Sequence, residues 1–334
     1  MKIRVGTFNL FQFAEPPYAW YTKKEKFTPK AWSLKTAWIK KQIQAMACDI
    51  IGFQEVFSQE ALATLVKEMG FEYFETADTA KLSQNNPKKY VTTTVAIASK
   101  YPITKTQKVR VHPPSLKEHH FQGRFRFSRL PIKATISLPN DQELLVYVCH
   151  LKSNRTNAFE YSFNATDTLE KKQALVLPTL QDKHSVALQQ RLCEASSLFF
   201  DMRKSKNRPT LLLCDLNDKA HSLTIEALTN YRYHDPKREE ESLLYDAYTQ
   251  HTPKEVYNPH PEAKPPQRKP TSYFLGRGNI LDYIFLSRDF LPSEEQAIAQ
   301  VSDYSVLDAH LHPNKDGSLL TSDHAQVVCE LSFE

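Results

Sequence analysis

One pattern constrains this chain more than any other: a short apolar run of strand length that stops abruptly at one or two polar residues, repeated from end to end. The runs are Ile3 to Leu10, Ile50 to Phe53, Thr93 to Ala98, Ile132 to Leu138, Leu144 to Leu151, Thr210 to Cys214, Ile280 to Leu286 and Ala325 to Leu331. Each is rich in β-branched or aromatic residues, the signature of a strand. Helical patterns lie between some of them: Ser33 to Ala47 with Ser33 as N-cap, Ser58 to Met69 ended by Gly70, and Asp182 to Arg203. Strands apolar on both faces, mixed with amphipathic helices, imply sheets that pack on each other and are covered by helices. No internal repeat and no linker divides the 334 residues, so residues 1–334 are expected to form one domain. Four stretches read as long loops: Phe11 to Trp32, Val111 to Arg126, Arg155 to Gln181 and Tyr231 to Pro270, the last with prolines at 253, 259, 261, 265, 266 and 270. Loops this long in a compact fold usually frame a site.

Composition narrows the class. At 41% hydrophobic and 24% charged residues the chain is an ordinary globular sequence, which excludes disorder as its main state. Seven glycines against 20 prolines exclude collagen-like or Gly-rich structure. A net charge of +5 permits a polyanionic partner without demanding one. The five cysteines are scattered and form no C-x-x-C pair, and three of them lie inside apolar runs, so they read as reduced core residues. The start, Met1-Lys2-Ile3-Arg4-Val5, lacks a signal-peptide pattern, and no run of 18 apolar residues occurs. A cytoplasmic protein without a transmembrane segment, with no stable protein partner implied, is expected.

The chemistry sits at the run ends. Asn9 closes the first run; Gln54-Glu55 follow the second; His150, then Lys152, Ser153 and Asn154, end another; Asp215-Leu216-Asn217-Asp218 end a fourth; and Ser322-Asp323-His324 precede the last. Asp282 stands inside the run Ile280 to Leu286. Glu55 and Asp323 offer carboxylate oxygens and Asn9 a neutral one, a donor set suited to Mg²⁺, Mn²⁺ or Ca²⁺ and ill suited to softer metals. Asp215 and Asn217, alternating in an extended segment, would grip one water from two directions. Asp282 could fix His324 in a single tautomer.

At Thr7-Phe8-Asn9-Leu10, Gly52-Phe53-Gln54-Glu55, His150-Leu151-Lys152-Ser153, Cys214-Asp215-Leu216-Asn217-Asp218, Leu281-Asp282-Tyr283-Ile284 and Ser322-Asp323-His324 the sequence resembles the endonuclease/exonuclease/phosphatase superfamily, in that family's order and across almost the whole chain. The resemblance implies a four-layer αββα sandwich of two mixed β-sheets flanked by helices, a divalent metal, Mg²⁺ or alternatively Mn²⁺ or Ca²⁺, at one rim, and hydrolysis of a phosphate ester. It casts Glu55 as the principal metal ligand with Asn9 and Asp323 close by, Asp215 and Asn217 as the pair orienting the nucleophile, Asp282 and His324 as a hydrogen-bonded dyad, and His150 as the second histidine at the phosphate. Two departures stand out. Cys214 replaces a common glycine, and residues 86–99 contain no Asp or Glu to support His150.

Substrate class rests on fewer residues, since one fold hosts many functions. From Lys100 to Lys133 the chain carries Lys100, Lys105, Lys108, Arg110, Lys117, Arg124, Arg126, Arg129 and Lys133 against Glu118 alone, a stretch able to engage several phosphates. Ser128-Arg129-Leu130-Pro131 resembles the segment of deoxyribonuclease-like enzymes whose arginine faces the phosphate, and Lys152 and Asn154 are expected to contact substrate beside it. Ser272 to Gly276 with Leu281-Asp282-Tyr283 resembles bacterial secreted nucleases. The aromatics Phe11, Phe13, Tyr18, Trp20, Tyr21, Phe27 and Trp32 could stack on bases, touch lipid, or, the better reading, pack their loop down. The leading expectation is a metal-dependent phosphodiesterase acting on DNA or RNA. A phosphatase or phospholipase on inositol phosphates or sphingomyelin, and a non-catalytic binding module, are the alternatives.

Overall fold

A computed structural model describes residues 1–22, 25–154, 160–239, 242–251, 268–312 and 318–333. In chain order its main elements are β1 (Lys2–Phe13), α1 (Pro29–Met46), β2 (Ile50–Val56), α2 (Gln59–Glu68), β3 (Tyr73–Thr76), β4 (Thr94–Ser99), β5 (Ile103–Lys108), β6 (Ile132–Ser137) and β7 (Glu143–His150). There follow α3 (Leu169–Val176), α4 (Val186–Arg203), β8 (Thr210–Asp215), α5 (Leu223–Thr229), β9 (Tyr245–Asp246), β10 (Asp282–Leu286), β11 (Ala299–Leu307) and β12 (Gln326–Phe333). One six-stranded sheet runs β11-β12-β1-β2-β4-β3 and the other β9-β10-β8-β7-β6-β5. Both are mixed in the same way. A central parallel pair, β1 with β2 or β7 with β8, is flanked by antiparallel neighbours.

The period-2 alternation of the strands sorts their side chains into layers. Val5, Val95, Ile97, Val146, Val148, Leu211 and Leu213 fill the space between the sheets. The alternate positions Phe8, Phe53, Ala96 and Ala98 meet Ile39, Ile43 and Met46 of α1 and Leu62, Leu65 and Val66 of α2. Tyr147, Cys149, Leu212 and Cys214 pack outward against Leu192, Leu198 and Phe199 of α4 and Leu223 and Ala227 of α5. The expected order of helix, sheet, sheet, helix is therefore what the chain builds. At Gly52 the sheets come so close that a Cβ would stand 2.9 Å from Leu213 Cβ and 3.0 Å from Val148 Cγ1. All five cysteines are buried and free, and among the described residues no helix is long and apolar enough to cross a membrane.

Several local expectations are corrected. α1 begins four residues before Ser33, capped by Thr28, whose hydroxyl accepts from the Ala31 N–H at 3.2 Å, with Pro29 at its first position. The helix expected from Asp182 starts at Val186, after two 3₁₀ turns. The stretches taken as loops carry α3 and the short helices Pro113–Glu118, Tyr231–His234 and Ala247–Gln250. Three edge strands had no apolar run to announce them: β3, β5 and β11 are half-polar, as edges exposed to water can be. The prolines 253, 259, 261, 265 and 266 lie outside the described residues.

Candidate active site

The inner face of each central strand is apolar along its length and turns polar at one rim. Beyond Val5 of β1 come Thr7 and Asn9; beyond Val148 of β7 comes His150; beyond Leu213 of β8 comes Asp215. His150 and Asp215 are register partners across the parallel pair, and Asp215 faces Asp282 across the antiparallel one. His324, just before β12, bridges to Ser272 at the same rim. Strand direction alone thus gathers residues that are hundreds of positions apart at one rim, where the central parallel strands end and their antiparallel neighbours β10 and β12 begin.

Asp215, fully buried, is the centre of the cluster. Its Oδ2 accepts from Asn9 Nδ2 at 2.9 Å and lies 3.3 Å from His150 Nε2, while Oδ1 accepts from the Asn217 N–H at 2.9 Å. Burial is the main cause that lifts its pKa to about 7, and the neighbouring Asp282 adds to it; His324, Asn9 and the Asn217 N–H pull the other way. Asn9 Oδ1 in turn accepts from the Phe11 N–H at 3.0 Å, so the side chain expected near the cation also orients Asp215. One expectation changes here. Asn217 does not continue an extended segment: at φ 50° it closes an Asx turn and its amide donates to the Leu151 carbonyl at 3.1 Å.

His324 and Asp282 meet at 2.8 Å between Nδ1 and Oδ2. Burial opposes charge on this imidazole, but Asp282, Asp215 and Asp323 together with the hydrogen bond outweigh it and hold the pKa well above the ordinary histidine range. Ser322 fixes the backbone, accepting from the His324 N–H at 3.0 Å and donating to the Asn9 carbonyl at 2.7 Å. His150 has the opposite environment: burial, then Arg129 and His324, push its pKa well down, and its Nδ1 finds no hydrogen-bond partner among the described residues. Residues 86–99 bring no carboxylate to this ring; its acidic neighbour is Asp215, on the Nε2 side.

Glu55 sits at a register shift between β2 and β4 with φ 60°, a left-handed conformation that a non-glycine residue adopts only under constraint. Its Oε2 accepts from the Gln12 N–H at 2.8 Å. Burial first and repulsion from Asp323 second raise its pKa, and burial raises that of Asp323, whose buried Oδ1 has no hydrogen-bond partner among the described residues and lies 4.0 Å from His324 Nε2. Two mutually repelling carboxylates with an oxygen left over fit a hard divalent cation. Asp215, Asp282 and His324 also bring ligand atoms within 4.8 Å of one another, but the 2.8 Å contact of His324 Nδ1 is already a hydrogen bond.

Three groups that the sequence gave no reason to single out support these residues. Lys35 of α1 is wholly buried, and burial pulls its pKa down to about 7 despite Asp323 and Glu55. Glu194 of α4 accepts from the Ser128 N–H at 2.6 Å and the Lys152 N–H at 2.7 Å. Arg191 donates to the Lys152 carbonyl at 3.0 Å and to Asp218 at 3.3 Å. The available signal was position: Lys35 stands on the stripe Lys35, Ile39, Ile43, Met46, and Arg191 and Glu194 lie in a helix buried nearly all round.

The site opens on a cleft of about 440 Å³, whose walls include Glu55, His150, Asp215, Asn217 and His324 with Tyr21, Thr92, Thr93, Arg129 and Lys152. Arg129 donates to the Leu151 carbonyl at 3.1 Å, as Asn217 does. Asn154 is exposed and is not among the lining residues. The aromatic loop is mostly packed down: Trp20 and Phe27 are buried with Phe57, and Phe13 meets Trp32 at 4.6 Å. Tyr21 is the exception, 47% exposed at the cleft wall. Of the basic stretch, Lys100 pairs with Asp49 at 3.1 Å and Lys133 with Asp201 at 3.2 Å.

Residues 6–324 match the family model described as Endonuclease/Exonuclease/phosphatase family. No curated protein matches the chain by sequence. Similar solved structures include the human Nocturnin catalytic domain with bound sulfate anion, at 16% identity and TM-score 0.56, covering 100% of this chain and 94% of that one. A humanized D. rerio TDP2 with 14 mutations matches at 10% identity and TM-score 0.55, covering 99% of each chain. A Bacteroides thetaiotaomicron mannosyl-6-phosphatase matches at 16% identity and TM-score 0.54, covering 99% of this chain and 100% of that one. Likeness at these identities speaks to fold alone.

Proposed function

The chain belongs to the Endonuclease/Exonuclease/phosphatase family, whose members hydrolyse phosphoesters, and from that premise we propose that its cleft cleaves phosphodiester bonds of nucleic acid with a divalent cation. The observation that carries the reading is the meeting of Glu55, His150, Asp215, Asn217 and His324 in one cleft, with Asn9 hydrogen-bonded to Asp215, Asp282 to His324, and Asp323 close enough to Glu55 to raise its pKa. Glu55 and Asp323 would hold the cation, which supplies positive charge to the phosphoryl oxygens. Asp215, poised near neutrality, takes the proton of the attacking water while Asn9 and the Asn217 N–H fix its two oxygens. As the water oxygen bonds to phosphorus, the ester P–O bond breaks and the leaving oxygen takes a proton from solvent. His324, held as an imidazolium by Asp282, turns its Nε2 toward the charge that develops on phosphorus oxygens. His150, kept neutral, contributes a hydrogen bond there.

Nucleic acid is favoured by charge. Between Asp78 and Glu118 the chain has no acidic residue, and this stretch includes Lys81, Lys88 and Lys89 beside the Val91, Thr92 and Thr93 wall of the cleft. Arg129 and Lys152 add positive charge to the wall itself. A cleft of about 440 Å³ also suits a small phosphate ester, and a structural neighbour is named a mannosyl-6-phosphatase; a phosphatase or phospholipase is therefore the second reading. Turnover of plasmid DNA, RNA, a sugar phosphate, inositol phosphates and sphingomyelin, each with Mg²⁺, Mn²⁺ or EDTA, separates the two. Cleavage of nucleic acid that stops in EDTA and in Glu55→Gln is expected. Full activity in EDTA refutes the role of the cation, and turnover of the small esters alone moves the assignment to the second reading.

A further inference from the structure

We propose that Lys35 is a positioning residue for the candidate metal site, its ammonium fastening together the two backbone segments that present Glu55 and Asp323. The proposal rests on the metal reading above and adds a residue with no place in it. A lysine on the apolar stripe of α1, 0% exposed, must find partners for its N–H groups inside the protein. It finds two carbonyls on different segments: Phe11, at 3.0 Å, and Thr321. The Phe11 carbonyl and the Gln12 N–H belong to one peptide group, and that N–H donates to Glu55 at 2.8 Å. Lys35 therefore holds one side of a planar unit whose other side holds the carboxylate. Polarising the carbonyl also strengthens the N–H as a donor.

The second carbonyl lies on the segment that carries the other carboxylate. Thr321 precedes Ser322 and Asp323, and Ser322 ties back to the Asn9 carbonyl. One ammonium and one hydroxyl thus stitch the segment after β1 to the segment before β12, with Glu55 on one side of the seam and Asp323 on the other. The segment at Phe11 and Gln12 needs such a tie, because both residues are held at positive φ, 51° and 63°. The rings of Phe11 and Trp38, 5.7 Å and 6.0 Å from Nζ, close the ammonium off.

Two physical effects of removing Lys35 have opposite signs, which makes the test decisive. If the lysine only adds a positive charge near the site, Lys35→Met tightens cation binding. If it positions the carboxylates, Lys35→Met weakens it. Calorimetric titration of the full chain with Mn²⁺ alone, well below the melting temperature, is expected to show affinity about 10–100-fold lower for Lys35→Met, the usual loss when a partner behind a metal ligand is removed. Lys35→Gln, which keeps N–H donors for the carbonyls, should lose less and guards against an unfolded Lys35→Met. Affinity equal to or tighter than wild type in folded Lys35→Met, or tighter than wild type in Lys35→Gln, overturns the proposal, since a merely structural lysine would lower stability and leave the affinity of the folded protein unchanged. Absence of saturable Mn²⁺ binding by the wild type overturns the metal reading and this proposal with it.

Discussion

His324 and Asp282 show what a single hydrogen bond does at the bottom of this cleft. With Nδ1 committed to Asp282 at 2.8 Å, the other ring nitrogen is the one left for substrate, and the charge on the ring is sustained chiefly by the buried carboxylates of Asp282 and Asp215. The two residues should behave as one device. Asp282→Asn and His324→Ala are each expected to lower kcat by roughly 10²–10⁴-fold, and the double variant by no more than the worse single. Multiplying losses in a double-mutant cycle would show instead that they act separately. Most of this residue chemistry was legible, because a carboxylate or imidazole placed where an apolar strand ends has few structural reasons to be there. Asn217 was misread as extended, although Asp-x-Asn suits an Asx turn and Asn tolerates positive φ, because the apolar run before it was carried on too far. Lys35 and Glu194 escaped because their partners are backbone groups of loops, which leave no mark on composition.

Among the elements, the outer helical layer carries an unusual load of neutral histidine. His119, at the end of the short helix Pro113–Glu118, contacts Tyr233 Oη at 2.7 Å, and His234 stacks on Phe199 at 4.2 Å while its Nε2 meets the Ala227 carbonyl at 2.8 Å. Burial above all lowers their pKa values to about 3 and about 4. The unfolded chain binds protons near pH 6.5 and the folded one does not. The stability these histidines contribute is therefore complete above pH 6.5 and is lost as pH falls toward 4 and then 3, by up to about 1.4 kcal/mol per pH unit for each. Raised carboxylates at the site act in the opposite sense, so the effect is read as a difference. Urea unfolding of wild type and His119→Gln in EDTA should give curves that converge between pH 6.5 and pH 4; parallel curves would contradict the assignment. Strand existence was legible wherever a strand is covered on both faces. It was lost at β3, β5 and β11, where one side faces water and the apolar run disappears.

For the whole molecule, charge and chain path matter more than any contact. If the basic stretch follows a polyanion, reversing Arg124 and Arg126 should raise KM for long DNA or RNA and flatten its salt dependence, with little change for a small diester. Arg129, in the cleft wall, should affect both substrates. Equal effects on polymer and small diester would favour the second reading. The path of the chain is the feature with the widest reach. It builds β1 to β4 in one sheet, crosses at residues 100–102 to build β5 to β10 in the other, and returns for β11 and β12, where the Met1 ammonium donates to the Phe333 carbonyl at 3.1 Å. Residues 1 and 333 are thus already adjacent, and joining them by a short linker while opening the chain at the crossing would yield a circular permutant in which each sheet is one continuous stretch of sequence. In that rearranged gene the two halves of the cleft become separable cassettes, Asn9, Glu55, Asp323 and His324 on one and His150, Asp215 and Asp282 on the other, open to expression apart and reassembly by the interface beneath Gly52.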